Sequence, residues 1–299
     1  MNAFSLSGAP MILDGGLATE LEAQGHDLSD ALWSARLLAD APEEIVAAHA
    51  AFFRAGAEIA TTASYQASFE GFAEHGIERA EAAKLMRRSV ELARLAGEVE
   101  PGRHRWVAAS IGPYGAMLAD GSEYRGRYGL TKRELHDFHR PRLEVLAESR
   151  PDVFALETVP DVDEAEALVD AVADLDVPAW LSFTISGEQT RAGQPLAEAF
   201  AVAADSDAII AVGVNCSAPD DVLTAIETAR AAVEKPIVVY PNSGEGWDAQ
   251  RRAWTGRARL SAEQARGWRA AGAHVIGGCC RVRPEDITAV ADALTDPAA

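Results

Sequence analysis

Three cysteines, Cys216, Cys279 and Cys280, are the residues of this chain with the widest chemical reach. Three thiolates can hold Zn²⁺ tetrahedrally with the fourth position open, and that opening separates a catalytic zinc from a closed structural one. Such a shell sets three negative charges against two positive ones, so it acidifies bound water less than three histidines would. It suits a soft sulfur nucleophile, whose thiol pKa the metal lowers from about 8.5. Spacing alone does not assign the role. A lone cysteine is usually a small buried hydrophobe, and neither C-x-x-C nor H-E-x-x-H occurs. An odd number of cysteines is a poor disulfide framework, and vicinal Cys279–Cys280 would be strained as a pair, so a reducing compartment is expected.

Carboxylates form the second group. Asp14 precedes Gly15 and Gly16, and Glu157 follows an apolar run. A carboxylate beside a helix start is often only a cap; two on one rim would suit an ammonium site or a general acid/base pair. Gly15 and Gly16 let a ligand approach the backbone closely. Thr61, Thr62 and Tyr65 add hydroxyls, although a local turn bond explains either threonine as well. Trp33, Tyr65, Tyr114, Tyr124 and Trp247 fall in loops or just past strands. Singly each reads as packing; together they would line a pocket for a sulfonium or quaternary ammonium. The histidines make no site: His136 and His139 share one face of an outer helix, and the others are scattered. No nucleophile elbow or phosphate-binding loop appears.

What must position these groups is an alternation of short β-branched runs with longer Ala/Leu/Glu/Arg segments. Strands are predicted over 11–14, 57–62, 105–111, 153–157, 179–185, 208–215, 236–240 and 273–277. Helices are predicted over 42–55, 77–99, 132–149, 163–175, 195–204, 219–233, 261–271 and 284–294. Ser261 with Gln264 reads as a capping box, Asp163 as a helix start, and Gly56 and Gly272 as helix stops. Pro141 should kink its helix or mark a first turn. Eight strand–helix pairs in series predict a (β/α)₈ TIM barrel, one domain over 1–299, ahead of a doubly wound open sheet, whose glycine-rich first turn is missing. In such a barrel the C-terminal strand ends carry the chemistry. Asp14, Thr61, Thr62, Glu157 and all three cysteines fall there, with the cysteines on strands six and eight, two apart around the ring. The segments 112–130 and 242–260 are long for βα loops and should form a substrate mouth or an oligomer contact.

The chain has 299 residues, 27 basic and 46 acidic, for a net charge of −19. That balance argues against nucleic-acid binding, which needs Lys and Arg to neutralise phosphates. The apolar run 208–214 is far short of the ~20 residues that span a bilayer. No basic residue precedes Arg36, so a secretory leader is not expected. A cytoplasmic protein working on small molecules, without membrane or nucleic-acid partners, is the expectation; the oligomeric state is left open.

Several stretches resemble the homocysteine S-methyltransferase family. They are Asp14-Gly15-Gly16-Leu17, Thr62-Ala63-Ser64-Tyr65-Gln66-Ala67, Gly112-Pro113-Tyr114-Gly115-Ala116, Asp120-Gly121-Ser122-Glu123-Tyr124-Arg125-Gly126 and Glu157-Thr158-Val159-Pro160. Gly213-Val214-Asn215-Cys216, Tyr240-Pro241-Asn242-Ser243-Gly244-Glu245 and Gly277-Gly278-Cys279-Cys280-Arg281 complete the series, in order along nearly the whole chain. The likeness is to the stand-alone branch that takes its methyl from S-methylmethionine or, in some members, S-adenosylmethionine. It implies a zinc barrel with Cys216, Cys279 and Cys280 as ligands. It also implies Asp14 and Glu157 on homocysteine, with Thr61, Tyr65 and Trp33 near the pocket. Betaine-dependent relatives share the metal motif, so zinc does not choose the donor. The rivals are a lyase or aldolase working through the strand-end carboxylates, and a metal-holding module. Against the first stands the lack of a strand-end lysine, since the only lysines are Lys84, Lys132 and Lys235; against the second, the carboxylates, which storage does not need.

Overall fold

The computed structural model describes residues 4–26, 28, 33–100, 102, 104–248, 253–255 and 260–295, without the side chains of 33–36, 246–248 and 253–255. Eight short strands lie side by side: β1 (Met11–Ile12), β2 (Ile59–Thr61), β3 (Trp106–Ile111), β4 (Val153–Val159), β5 (Ala179–Phe183), β6 (Ile209–Asn215), β7 (Ile237–Tyr240) and β8 (Ala273–Ile276). Every pairing among them is parallel, each strand beside its sequence neighbours, with β1 next to β8. A parallel bridge between Leu13 and Ile59 joins the remaining two edges. The ring is a (β/α)₈ barrel; an open sheet would have left those edges apart.

Residues alternating along each strand divide the apolar groups between two cores. Ala155, Trp180, Ala211, Val238 and Val275 point into the lumen. Phe154, Leu156, Leu181, Val212 and Val239 face outward against the helices. The small Ala108, Ala155 and Ala211 leave space that Trp180 fills; truncating that fully buried indole to alanine should cost about 3–5 kcal/mol. At the N-terminal end of the barrel Phe4 packs edge-on against Trp106, ring centroids 5.3 Å apart. A lumen filled in this way is a floor, not a pore.

The long helices follow their start and stop signals. Ser261 caps Ala262–Ala271 through a reciprocal pair of bonds with Gln264, and Gly272 ends that helix at φ +111°. Asp161, not Asp163, caps Val162–Val172: its side chain accepts the Glu164 N–H at 2.9 Å, while Asp163 sits in the first turn. Pro141 neither starts nor ends the helix Lys132–Glu148, which runs through it. Short helices at Leu17–Ala23, Trp33–Asp40, Phe69–Glu74 and Tyr114–Leu118 were not foreseen, being too brief for a clear periodicity. Among the described residues, no helix is long and apolar enough to cross a membrane.

Candidate active site

Cys216 follows the last residue of β6, and Cys279 and Cys280 follow β8 in the loop beyond Gly277 and Gly278. Their three sulfurs lie within 4.8 Å of one another. Each position is fixed by backbone. Cys216 takes the left-handed conformation at φ +47°, turning the chain over the rim. The Cys279 N–H donates to Pro241 O at 2.8 Å, and the Cys280 N–H to Asn242 Oδ1 at 3.1 Å. From the other side, Gly16 N–H donates to Val282 O at 2.9 Å and Gly278 N–H to Asp14 O at 3.0 Å. A Cβ on Gly16 would stand 2.6 Å from Cys279 O, and one on Gly15 2.6 Å from Val282 O. Both glycines line the cavity, but the close approach they permit is first of all that of the cysteine loop.

The Cys216 and Cys279 sulfurs are in direct contact, with Cα atoms 5.6 Å apart, and the Cys280 sulfur stands 4.0 Å from that of Cys216. Cysteines 63 residues apart in sequence become neighbours because β6 and β8 flank the single strand β7. The trio presents three soft sulfur donors and no competing hard ligand, a set that fits a thiophilic metal.

The cysteines wall a cavity of about 250 Å³ over the barrel lumen. Glu157, at an inward position of β4, stands at its floor. Ser110 Oγ donates to its Oε1, and the Tyr240 hydroxyl, itself accepting from Trp180 Nε1 at 3.0 Å, reaches it as well. Burial outweighs these bonds and pushes the Glu157 carboxyl up to about 7. The next residue, Thr158, holds φ +59°, costly for a β-branched side chain. Asn215 locks it there, accepting the Thr158 N–H at 2.7 Å and donating to Thr158 Oγ1 at 2.8 Å. That pair ties the end of β4 to the residue preceding Cys216.

Asp14 lies just behind the lining. Its two oxygens accept the Thr61 N–H at 2.8 Å and the Thr61 hydroxyl at 2.9 Å. Burial raises its carboxyl well above the usual range, the Thr61 bonds oppose this, and the Glu157 charge adds to it. Thr61, Thr62 and Tyr65 all line the cavity. The Thr62 hydroxyl is engaged with Ser64 at 2.7 Å and accepts the Ser110 N–H at 3.0 Å, so its bonds are structural. Tyr114 is away from the cavity, packed on Tyr128 and Phe138 at 5.2 and 4.9 Å. The side chains of Trp33 and Trp247 lie outside the described residues. None of the three lysines lines the cavity: Lys84 pairs with Glu81, Lys132 with Glu166 and Asp170, and Lys235 with main-chain carbonyls.

The 112–130 segment forms the remaining wall, placing Glu123 and Tyr124 on the cavity. The Tyr124 hydroxyl bonds the Cys280 sulfur. A buried network anchors this segment at both ends. Arg142 donates to Gly112 O and to His139 Nδ1, so His139 must carry its proton on Nε2, which donates to Glu164 Oε1 at 2.9 Å. Glu164 also accepts the Tyr114 N–H and, at 3.3 Å, the Tyr128 hydroxyl. His139 is thus a neutral relay between a guanidinium and a carboxyl; burial and the Arg142 charge hold its pKa well below the ordinary value. Periodicity placed His139 on an outer helix but gave no sign of this network. Ser110, Glu123 and Thr158 also escaped; for Ser110 the inward alternation after Ala108 was an available signal.

A thiol cluster of metal-binding type and a buried carboxylate share one cavity on the C-terminal rim of a (β/α)₈ barrel, where barrel enzymes carry their chemistry. The homocysteine S-methyltransferase family model matches residues 11–294, and the chain belongs to that family of methyltransferases. It is 44% identical over 293 residues to homocysteine S-methyltransferase YbgG of Bacillus subtilis, covering 94% of this chain and 93% of that one. With homocysteine S-methyltransferase of Escherichia coli it shares 43% identity over 290 residues, covering 94% of each. The metallated form of the homocysteine methyltransferase MmuM from Escherichia coli superposes with a TM-score of 0.87 at 42% identity, covering 95% of this chain and 96% of that one. An oxidized form of the same protein superposes at 0.86.

Proposed function

We propose that the protein transfers a methyl group from a sulfonium donor, S-methylmethionine or S-adenosylmethionine, to the thiolate of L-homocysteine, giving methionine, with Zn²⁺ held by Cys216, Cys279 and Cys280. The observation that carries this reading is the approach of those three sulfurs to within 4.8 Å on the wall of the cavity that also holds Glu157. Zinc, when bound, supplies the positive charge that keeps an incoming thiol ionised at neutral pH. The soft donor set favours zinc over magnesium or calcium. Cys216 and Cys279 must be reduced for the site to load.

The remaining work falls to the chain's own residues. Glu157 receives the homocysteine ammonium, whose charge compensates the burial that pushes this carboxyl up to about 7. Asp14 adds negative potential from behind and fixes Thr61, while the backbone at Gly15 and Gly16 and the Thr61 and Tyr65 side chains complete the substrate wall. Thr62 belongs to the same surroundings by holding Ser110, and the family resemblance adds Trp33. The homocysteine sulfur forms a bond to the methyl carbon as the sulfonium–methyl bond breaks, and its electron pair stays with the departing thioether. Thiolate and sulfonium neutralise each other, so no general base touches the methyl group. Orientation and water exclusion are what the cavity must provide.

The test is a donor panel with homocysteine, comprising S-methylmethionine, S-adenosylmethionine, betaine and methyltetrahydrofolate, each with and without a chelator. Transfer from a sulfonium, lost on chelation and restored by zinc, is the expected result. Full activity in demonstrably metal-free protein would overturn it.

A further inference from the structure

The wall built by the 112–130 segment holds two acceptors with nothing to accept. Glu123 Oε2 and Gln66 Oε1 are both shut off from solvent without a hydrogen-bond partner, and both residues line the cavity. An unmatched buried acceptor is destabilising, and more so when it is charged. The Gln66 amide cannot escape by turning over, because its Nε2 already donates to Ala116 O at 3.1 Å and a flip would set two oxygens against each other. The neighbouring Gly115 lies so close to the Glu123 backbone that a side chain there would collide with it. Gln66 and Glu123 therefore belong to one packed wall.

Charge around the two acceptors is negative or neutral, and the cation nearest Tyr124, Arg191, lies over its ring at 5.7 Å from the centroid, outside the cavity lining. Asp120, Tyr65, Tyr124 and Cys280 face Glu123 electrostatically, and none of them is cationic. Arg125 attracts Glu123 from a distance, but its guanidinium lies 3.5 Å from Asp120. Among the described residues lining the cavity, none is Lys, Arg or His. Two acceptors, one of them a carboxylate, without a donor beside them call for a ligand that brings both positive charge and N–H groups. A primary ammonium has both; a fully methylated nitrogen has no N–H to give. The Tyr65 ring on the same cavity suits the sulfonium end of such a ligand.

Resting on the methyl-transfer reading above, we propose that Glu123 and Gln66 are specificity-determining residues that bind the α-ammonium of the methyl donor, selecting amino-acid sulfoniums over methyl onium compounds that lack an amino group. Glu157 keeps the homocysteine ammonium, so the two substrates are held by different carboxylates.

Two donors separate the ammonium from everything else: S-methylmethionine, and dimethylsulfoniopropionate, which carries a sulfonium and a carboxylate but no amino group. Metal-loaded wild-type protein should prefer the first. Glu123→Gln should raise the KM and the calorimetric Kd for S-methylmethionine by about 10- to 100-fold, and Gln66→Leu by about 3- to 10-fold. Both should narrow the preference between donors while zinc content and homocysteine Kd stay within twofold. Unchanged S-methylmethionine binding in Glu123→Gln, an equal loss for both donors, or a loss of homocysteine affinity in its place would overturn the assignment. If the wild type transferred from no sulfonium at all, the parent reading would fail, and donor calorimetry on the same variants would still decide the subsite.

Discussion

Glu157 and Glu164 are two buried glutamates, each pushed up to about 7 by loss of solvent, yet their surroundings give them different work. Glu164 is enclosed by protein donors: a main-chain N–H, the His139 ring and the Tyr128 hydroxyl, with Arg142 one residue further out. Glu157 has Ser110 and Tyr240 on the protein side and open volume on the other. A raised pKa alone would rank them together as functional. Adjacency to the cavity separates them: Glu164 holds a wall in place, and Glu157 faces open volume.

The most severe test lies on the open side. Replacing Cys216, Cys279 or Cys280 with alanine should abolish zinc binding and methyl transfer together, read by metal analysis and product formation, while the circular dichroism of the fold is kept. Next comes the enclosed side. Glu164→Ala strands the buried charge of Arg142 and the Tyr114 N–H, and should cost about 3–5 kcal/mol of stability in denaturant titration. Homocysteine affinity of the folded fraction should stay within about threefold, below the tenfold that 1.4 kcal/mol represents. Glu157→Ala should reverse that pattern: homocysteine Kd rises about 10- to 100-fold, whereas stability is unchanged or slightly higher because a costly buried carboxyl is gone. If these two variants exchange phenotypes, the distinction collapses.

The smallest effect concerns pH. Glu164 keeps its proton up to about pH 7 in the folded chain, whereas the unfolded chain releases it near the ordinary 4.5. Between those values the folded form binds more protons, so this group's contribution to stability falls as pH rises from about 5 to 8. Glu164→Gln should flatten that part of a Tm-against-pH profile. An unaltered slope would mean that the Arg142 charge, relayed through His139, keeps the carboxylate ionised throughout.

All eight barrel strands were legible to within a few residues, because short runs buried on both faces and separated by helical periods leave few other readings. The gathering of the three cysteines was legible for the same reason: strand ends define one rim, and Cys216, Cys279 and Cys280 fall on it. What alternation cannot show is contact between segments that share no period. Asp14 reads as a ligand-facing carboxylate, yet its oxygens are taken by Thr61; His139 reads as packing, yet it relays between Arg142 and Glu164. Glu123 sits in a segment whose path over the rim is set by anchors at Gly112, Tyr114 and Tyr128, so nothing in its own spacing announces the cavity. The cap at Asp161 was missed by two positions, since Asp163 and Asp161 both carry the right side chain and only backbone geometry chooses.

The loop carrying Cys279 and Cys280 is fastened to Asp14 and Gly16, so residues from opposite ends of the described chain meet beside the sulfur cluster. A polypeptide halted on the ribosome before position 279 would possess Cys216 alone. The cluster of three sulfurs can therefore come into being only at the end of synthesis, when the ring has shut.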